Sequence, residues 1–387
     1  MGKSRIAAVM SLAAAVGLLT AGCGQGLLGG DSQAGDGKGP IVLGMLIPQS
    51  GSEAAIGPYM KNAADLAVEE INGKGGVLGR KLELKVADDA CDAQTAVAGA
   101  NKLVTEGVQV SVGGYCSGAT LPTLPIFGKA NIPMIIPAAN SQELVDQHLK
   151  HVFLINGTGS QQATAAMAWI TKRGAKSVAL VHDNTSYSKD IAVRTQKLLD
   201  EPGGPEAAIL EAVTPKESDY SANINNILAK KPDFVYWTGY FQEGGLIIRQ
   251  LRQSGYKGAI MVGDGSVSEK LASIAGDAGE GVFATMTQTP DTLQGAEGWV
   301  ASYTKKFGSA PGPYTNQAYD GVRLAAEAIK NAGATDGAKV IAALEGIDGF
   351  QMFSGPLKFT PDHTLSAGGF QILVVKSGKF ALQDALK

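Results

Sequence analysis

The stretch that decides the fold begins with IVLGMLI at residues 41–47 and ends with LELKV at residues 82–86. Both runs are short, rich in aliphatic residues and bounded by turn formers, which predicts two buried strands. Between them, apolar residues recur at helical spacing until Asn72-Gly73 ends the series, which predicts a helix. These apolar residues are Met60, Ala63, Ala64, Ala67, Val68 and Ile71. The order of strand, helix and strand predicts a parallel sheet.

The same alternation continues along the chain in two series. Further strands of the first series are predicted at 108–112 and 133–136. The second series has predicted strands at 178–181, 209–213, 234–237 and 259–262, and predicted helices at 161–173, 186–200, 220–229 and 243–254. Two such series predict an α/β protein with two doubly wound parallel-sheet lobes.

Composition limits the function classes. The 387 residues are 44% hydrophobic and 18% charged, with a net charge of -3, which allows a large core and does not indicate a nucleic-acid surface. The sequence has no GxSxG elbow, Walker A loop or HExxH motif, and its four histidines are scattered. We therefore expect no enzyme, no metal and no cofactor.

The N-terminus has the pattern of an export signal. Lys3 and Arg5 precede an uncharged run from Ile6 to Thr20, which is too short to span a bilayer. The small residues before Cys23 resemble the bacterial lipobox, which implies a lipoprotein signal peptide over 1–22 and a lipidated Cys23. Residues 23–40 are then a flexible tether, and the protein is extracytoplasmic and anchored to the cell membrane by lipid. The alternative is an ordinary secretory peptide with an incidental cysteine.

Two cysteines remain when Cys23 is set aside. Cys91 and Cys116 form an even pair in an exported chain, which favours a disulfide over two buried free thiols. The absence of a CxxC motif from the sequence argues against redox catalysis and a zinc site.

Binding residues are expected in the loops that follow the predicted strands, because ligands of open α/β sheets bind at the carboxyl ends of the strands. Several of these loops are rich in Ser, Asn, Tyr, Asp and Gly. Seven stretches in them match one known family in order over residues 41–387. They are 70–76 (EINGKGG) with Gly79, 88–92 (DDACD), Cys116-Ser117, 137–144 (PAANSQEL), 181–183 (VHD) with Tyr187, Gly239-Tyr240 and 273–276 (SIAG). Through these stretches the sequence resembles the leucine/isoleucine/valine-binding proteins of bacterial ABC importers, which are two-lobed solute receptors of the type I periplasmic-binding-protein fold.

The resemblance implies a site for the carboxylate of an amino acid. Ser117 and the backbone around Ala138, Ala139 and Asn140 would hold the α-carboxylate of the ligand. Ser117 also opens a predicted helix, whose free amides favour an anion. Ser117 could instead act only as a helix cap, and the two roles are compatible.

The resemblance also implies a site for the ammonium group. Asp264 would pair with the α-ammonium, assisted by Tyr240 and the Ala138 carbonyl, and Tyr187 would close over the ligand from the second lobe. Ile56 stands where the family often has an aromatic residue, and it favours an apolar ligand side chain. The alternatives are a turn role for Asp264 and packing roles for the two tyrosines.

The function that follows is capture of branched-chain or other apolar amino acids by hinge closure, with delivery to an ABC permease. Crossings of a multi-strand hinge near Gly157, Pro290 and Asp362 would give a first lobe of 41–156 with 288–362 and a second of 157–287 with 363–387. Receptors of this family are usually monomers. The alternatives are a sensor, a receptor for an amide, urea-like or aromatic acid ligand, and a surface hydrolase that uses Ser117.

Overall fold

The computed structural model describes residues 39–386. The predicted signal peptide, Cys23 and the tether as far as residue 38 lie outside these described residues. At the end of the predicted tether, the Arg80 guanidinium donates to the carbonyl oxygens of Gly39 (2.7 Å) and Pro40 (3.1 Å). Arg80 therefore holds the chain in place immediately before the first strand.

Five parallel strands form the first sheet. They are β1 (Ile41–Ile47), β2 (Leu82–Asp88), β3 (Val110–Ser111), β4 (Met134–Ile136) and β5 (Val152–Leu154). Their order is β2-β1-β3-β4-β5, so the chain turns to one side of β1 and then to the other. This reversal opens a crevice at the carboxyl ends of β1 and β3, where ligands of such sheets bind.

The helices of this first part are α1 (Gly57–Gly73), α2 (Ala93–Thr105), α3 (Ser117–Thr120) and α4 (Leu124–Lys129). Pro58 lies in the first turn of α1, where its fixed φ suits the helix and its missing N–H costs nothing. Met60 and Ala63 are completely buried, as are Leu43 and Met45 of β1, which fits the apolar periodicity of the sequence.

The second sheet has seven strands. They are β6 (Ser177–His182), β7 (Glu206–Ala212), β8 (Phe234–Trp237), β9 (Ala259–Val262), β10 (Phe283–Thr287), β13 (Phe370–Lys376) and β14 (Lys379–Asp384). The order is β14-β13-β10-β9-β8-β6-β7, with β13 and β14 antiparallel to their neighbours. The five strands from β6 to β10 repeat the order of the first sheet, which places a second crevice between β6 and β8.

Four helices of the second sheet lie close to their predicted limits. They are α5 (Gly159–Lys172), α6 (Ser186–Leu199), α7 (Ser221–Ala229) and α8 (Phe241–Gln253). A fifth, α9 (Glu269–Ala275), was not predicted. A capping box formed by Thr158 and Gln161 begins α5 directly after the chain leaves the first sheet.

A later segment returns to the first sheet. It contains α10 (Glu297–Phe307), α11 (Thr315–Ala332), α12 (Gly337–Glu345) and a hairpin of β11 (Asp348–Met352) and β12 (Gly355–Lys358). The Tyr319 hydroxyl on α11 donates to a Glu70 carboxylate oxygen on α1 at 2.5 Å. This contact fixes α11 against α1.

The chain passes between the two sheets three times. A cavity of about 330 Å³ is lined by all three passages, including Asn156, Gln288 and Gly368. The Leu154 amide donates to the His363 carbonyl oxygen at 2.9 Å, so the third passage begins beyond His363. The predicted fold of two α/β lobes and a multi-strand hinge is confirmed, and we keep the lobe limits given above as a proposal.

Candidate ligand-binding site

The residues expected to bind a ligand all lie in loops at the carboxyl ends of strands. In the first sheet, Ile56 follows β1, Ser117 follows β3 and residues 138–140 follow β4. In the second sheet, Tyr187, Tyr240 and Asp264 follow β6, β8 and β9. All eight residues are buried, Tyr240 being the most exposed at 7%. The Asn140 side chain of the first sheet donates to Asp264 of the second, so the two crevices face each other.

Asp264 is the centre of this cluster. Its Oδ1 accepts hydrogen bonds from the Tyr187 hydroxyl (2.6 Å) and the Gly265 amide (3.1 Å). Its Oδ2 accepts from the Tyr314 hydroxyl (2.9 Å) and Asn140 Nδ2 (3.4 Å). Burial raises the pKa of Asp264, while hydrogen bonds from the Tyr187 and Tyr314 hydroxyls and from the Gly265 amide lower it in part. Donors from both lobes thus meet on one carboxylate.

Ser117 is linked to Asp264 by a single residue. Ser117 Oγ accepts from the backbone amides of Asn140 (3.3 Å) and Ser141 (3.1 Å), while the Asn140 side chain reaches Asp264. A hydroxyl has two acceptor positions and one proton, so these two bonds leave the Ser117 proton to be donated. The Ala138 carbonyl accepts from Asn156 Nδ2 at 2.8 Å and keeps a second acceptor position.

A layer of four tyrosines surrounds the carboxylate, and two of them, Tyr115 and Tyr314, are not among the residues expected from the sequence. The Tyr115 ring lies 6.0 Å from that of Tyr240 and 5.4 Å from that of Tyr314, and Tyr187 lies 5.0 Å from Tyr240. Tyr115 directly precedes Cys116-Ser117, which was a usable signal. Tyr314 precedes α11 in a Gly-Pro-Tyr turn, and nothing in the local sequence indicates its role.

A disulfide supports the Ser117 loop. Cys91 and Cys116 are joined, with their Cα atoms 5.4 Å apart, as the cysteine count predicts. The bond ties the loop after β2 to the loop after β3, and Asp89 Oδ1 accepts from the Cys91 amide at 2.8 Å. Gly51 packs against this turn with a φ of 80°, and a Cβ there would lie 2.8 Å from the Ala90 carbonyl oxygen. Glycine is therefore required at this position.

His182 and Asp183, which could suggest catalysis, hold a turn. His182 Nδ1 accepts from the Asn184 amide at 3.1 Å, and Asp183 Oδ1 accepts from the amide (2.9 Å) and hydroxyl (2.7 Å) of Thr185. Burial lowers the pKa of His182.

Within residues 39–386, no group of three or more His, Cys, Asp or Glu side chains could hold a metal ion. None of the described helices is long and apolar enough to cross a membrane.

Comparison with known proteins identifies the family of this chain. The family model described as "Periplasmic binding protein" matches residues 40–379. The chain belongs to the periplasmic binding proteins. Among the curated relatives of this periplasmic binding protein, "Leu/Ile/Val-binding protein homolog 1" of Brucella abortus is 34% identical over 321 residues, or 82% of this chain and 86% of the relative. A second relative, the leucine-, isoleucine-, valine-, threonine- and alanine-binding protein of Pseudomonas aeruginosa, is 32% identical over 82% of this chain and 85% of its own.

A solved structure extends the likeness to the fold. The branched-chain amino acid transporter substrate binding protein LivJ from Streptococcus pneumoniae, in complex with isoleucine, superposes with a TM-score of 0.82 and 27% identity. The match covers 90% of this chain and 99% of that protein. The resemblance to the Leu/Ile/Val-binding proteins is confirmed. The family supports a solute-binding role outside the cytoplasm, and these relatives are binding proteins rather than enzymes.

Proposed function

We propose that this protein captures an α-amino acid between its two lobes and delivers it to an ABC importer. The observation that carries the proposal is the chain of contacts from Ser117 through Asn140 to Asp264, completed by Tyr187. A hydroxyl proton at one end suits a carboxylate, and a buried carboxylate at the other suits an ammonium group.

Binding then proceeds by closure of the hinge. In the proposed order, the first lobe binds the ligand carboxylate through Ser117 and the backbone of 138–140. The second lobe brings Asp264 to the ammonium group, assisted by Tyr240 and the Ala138 carbonyl. The 3.4 Å bond from Asn140 is the longest on Asp264, so it is the one that an ammonium group replaces.

The preferred side chain of the ligand is indicated by two observations. The names of the relatives and the burial of Ile56 favour branched-chain and other apolar amino acids. A thermal-shift screen of the twenty amino acids tests the class, because a ligand at about 100 times its Kd stabilises the folded form by about 2.7 kcal/mol.

Asp264→Ala is expected to reduce affinity for the best amino acid by about tenfold to a hundredfold, from the usual strength of hydrogen bonds to charged groups. Asp200→Asn, an exposed carboxylate at the end of α6, serves as the control. Unchanged affinity in Asp264→Ala, or no stabilisation by any amino acid, contradicts the proposal.

The membrane anchor is proposed from Cys23 alone. We expect metabolic labelling with palmitate to mark the full-length protein and to place it in the membrane fraction. Cys23→Ser is expected to lose both the label and the membrane association, because the remaining chain carries no acyl group. A labelled Cys23→Ser variant would contradict lipidation at this residue.

The monomeric state, proposed from the resemblance, is tested by sedimentation.

A further inference from the structure

Glu53, in the loop between β1 and α1, is a buried carboxylate with an unused oxygen. Its side chain is 1% exposed, and Oε2 has no hydrogen-bond partner among the described residues. The neighbouring Ser52 side chain lowers the pKa of this carboxylate in part. Burying a carboxylate with an unsatisfied oxygen is costly, so its position calls for a partner.

Two more buried carboxylates, both of the second lobe, lie within electrostatic reach of Glu53. Glu243 at the start of α8 is 6% exposed, and its Oε1 accepts from the Lys216 amide at 2.9 Å. Asp183 after β6 is 2% exposed. Burial raises the pKa of Glu53 well above its ordinary value, and Glu243 and Asp183 raise it further. Closure of the lobes therefore brings like charges together at this end of the cleft.

This acidic end lies near the tyrosine layer around Asp264. Burial raises the pKa of Tyr115, and the carboxylates of Glu53 and Asp264 both raise it further. Both carboxylates act in the same way on Tyr240. The tyrosine layer is thus within electrostatic reach of both. Beside Glu53, Gln242 Nε2 of the second lobe donates to the Ser52 carbonyl at 3.4 Å, so the two lobes also meet there.

Charge balance indicates what this end receives. The ammonium group of an amino acid offsets Asp264, and its carboxylate is taken by Ser117 and the backbone. An apolar side chain would leave Glu53 Oε2 without a hydrogen-bond partner. A second positive group with N–H donors would satisfy Glu53 Oε2, and the tyrosine rings offer faces that attract a cation.

We propose that the ligand is an α-amino acid with a basic side chain, whose positive group is bound by Glu53 at the far end of the cleft. This inference rests on the proposed function for the α-ammonium and α-carboxylate groups. It adds Glu53 as a specificity-determining residue and makes the side chain of the ligand basic rather than apolar.

Calorimetric titration of the purified protein with matched ligand pairs tests the proposal. The pairs are L-arginine with L-citrulline, L-lysine with L-norleucine and L-ornithine with L-norvaline, each pair differing in the positive group. We expect one basic amino acid to bind at least tenfold more tightly than its neutral counterpart. Glu53→Gln should abolish that preference, because it keeps the shape and removes the charge, whereas Glu201→Gln, at an exposed position, should keep it.

Each alternative result has a distinct meaning. Neutral ligands that bind as tightly as the basic ones to the wild type would overturn the inference, and this comparison holds even if Glu53→Gln does not fold. A preference that survives in folded Glu53→Gln would overturn it too. If leucine or norleucine binds and is lost in Asp264→Ala, the proposed function stands without the basic side chain. If no amino acid binds, the proposed function itself fails.

Discussion

Removal of the disulfide is the change whose effect on the free energy of unfolding follows most directly from the structure. Cys91 and Cys116 are 25 positions apart, and the bond holds the loop that carries Ser117. In the chain-entropy relation, a closed loop of this length lowers the entropy of the unfolded chain enough to stabilise the fold by about 3.5 kcal/mol at 25 °C. This is a large part of the roughly 5–15 kcal/mol that stabilises a typical protein.

The test compares the wild type with the Cys91→Ser/Cys116→Ser double variant in urea denaturation. We expect the free energy of unfolding to fall by about 3 to 4 kcal/mol. Reductant should bring the wild type to the value of the variant and leave the variant unchanged. We also expect weaker amino-acid binding, because Ser117 is bonded directly to Cys116. A loss of less than about 1 kcal/mol would refute the reasoning, since the entropy term then does not operate on this loop.

Three further substitutions test separate contacts. Burial raises the pKa of Asp89 to about 7. The folded form therefore holds the Asp89 proton more tightly than the unfolded chain does. The contribution of Asp89 to the free energy of unfolding falls as pH rises from about 4 to about 7, by at most about 4 kcal/mol. Asp89→Asn should remove that loss, as urea denaturation at pH 5 and pH 8 would measure. Tyr187→Phe should cost about 1.5 to 3 kcal/mol of unfolding free energy, because it removes a donor from the buried Asp264. Gly51→Ala should cost about 1 to 3 kcal/mol in the same assay, from its positive φ and the close Ala90 carbonyl.

Matched variants give each of these tests a baseline. Tyr220→Phe removes a buried hydroxyl that has no partner among the described residues, so we expect little change. Gly118→Ala places a Cβ where nothing lies within 4 Å, so it should be neutral or slightly stabilising. Asp200→Asn should keep the pH dependence of the wild type. Equal effects in test and control variants would contradict the assigned contacts.

The strands and helices near the site were largely predictable because their patterns are local. The apolar run at 41–47 forms β1 over the same residues, and the predicted helix at 186–200 forms α6 with one residue fewer. The run at 108–112 was predicted as one strand, but only Val110 and Ser111 form β3. Gly114, with a φ of 113°, follows shortly after and turns the chain toward the site.

The residues of the candidate site were predictable only where they follow a predicted strand. Ser117 and Asp264 follow predicted strands, so loop position and resemblance both indicate them. Tyr314 reaches Asp264 because α11 packs on α1, a long-range contact that no local pattern reveals. Glu53 was not singled out, because its significance depends on carboxylates of the second lobe that approach it only in the fold.

The contact between Tyr319 and Glu70 joins residues 249 positions apart. The first lobe therefore cannot be completed until most of the polypeptide has been synthesised. Such distant contacts form slowly, because a long loop must close before they add any stability. In the proposed export of this chain, the delay would keep the first lobe from completing its fold before transport begins.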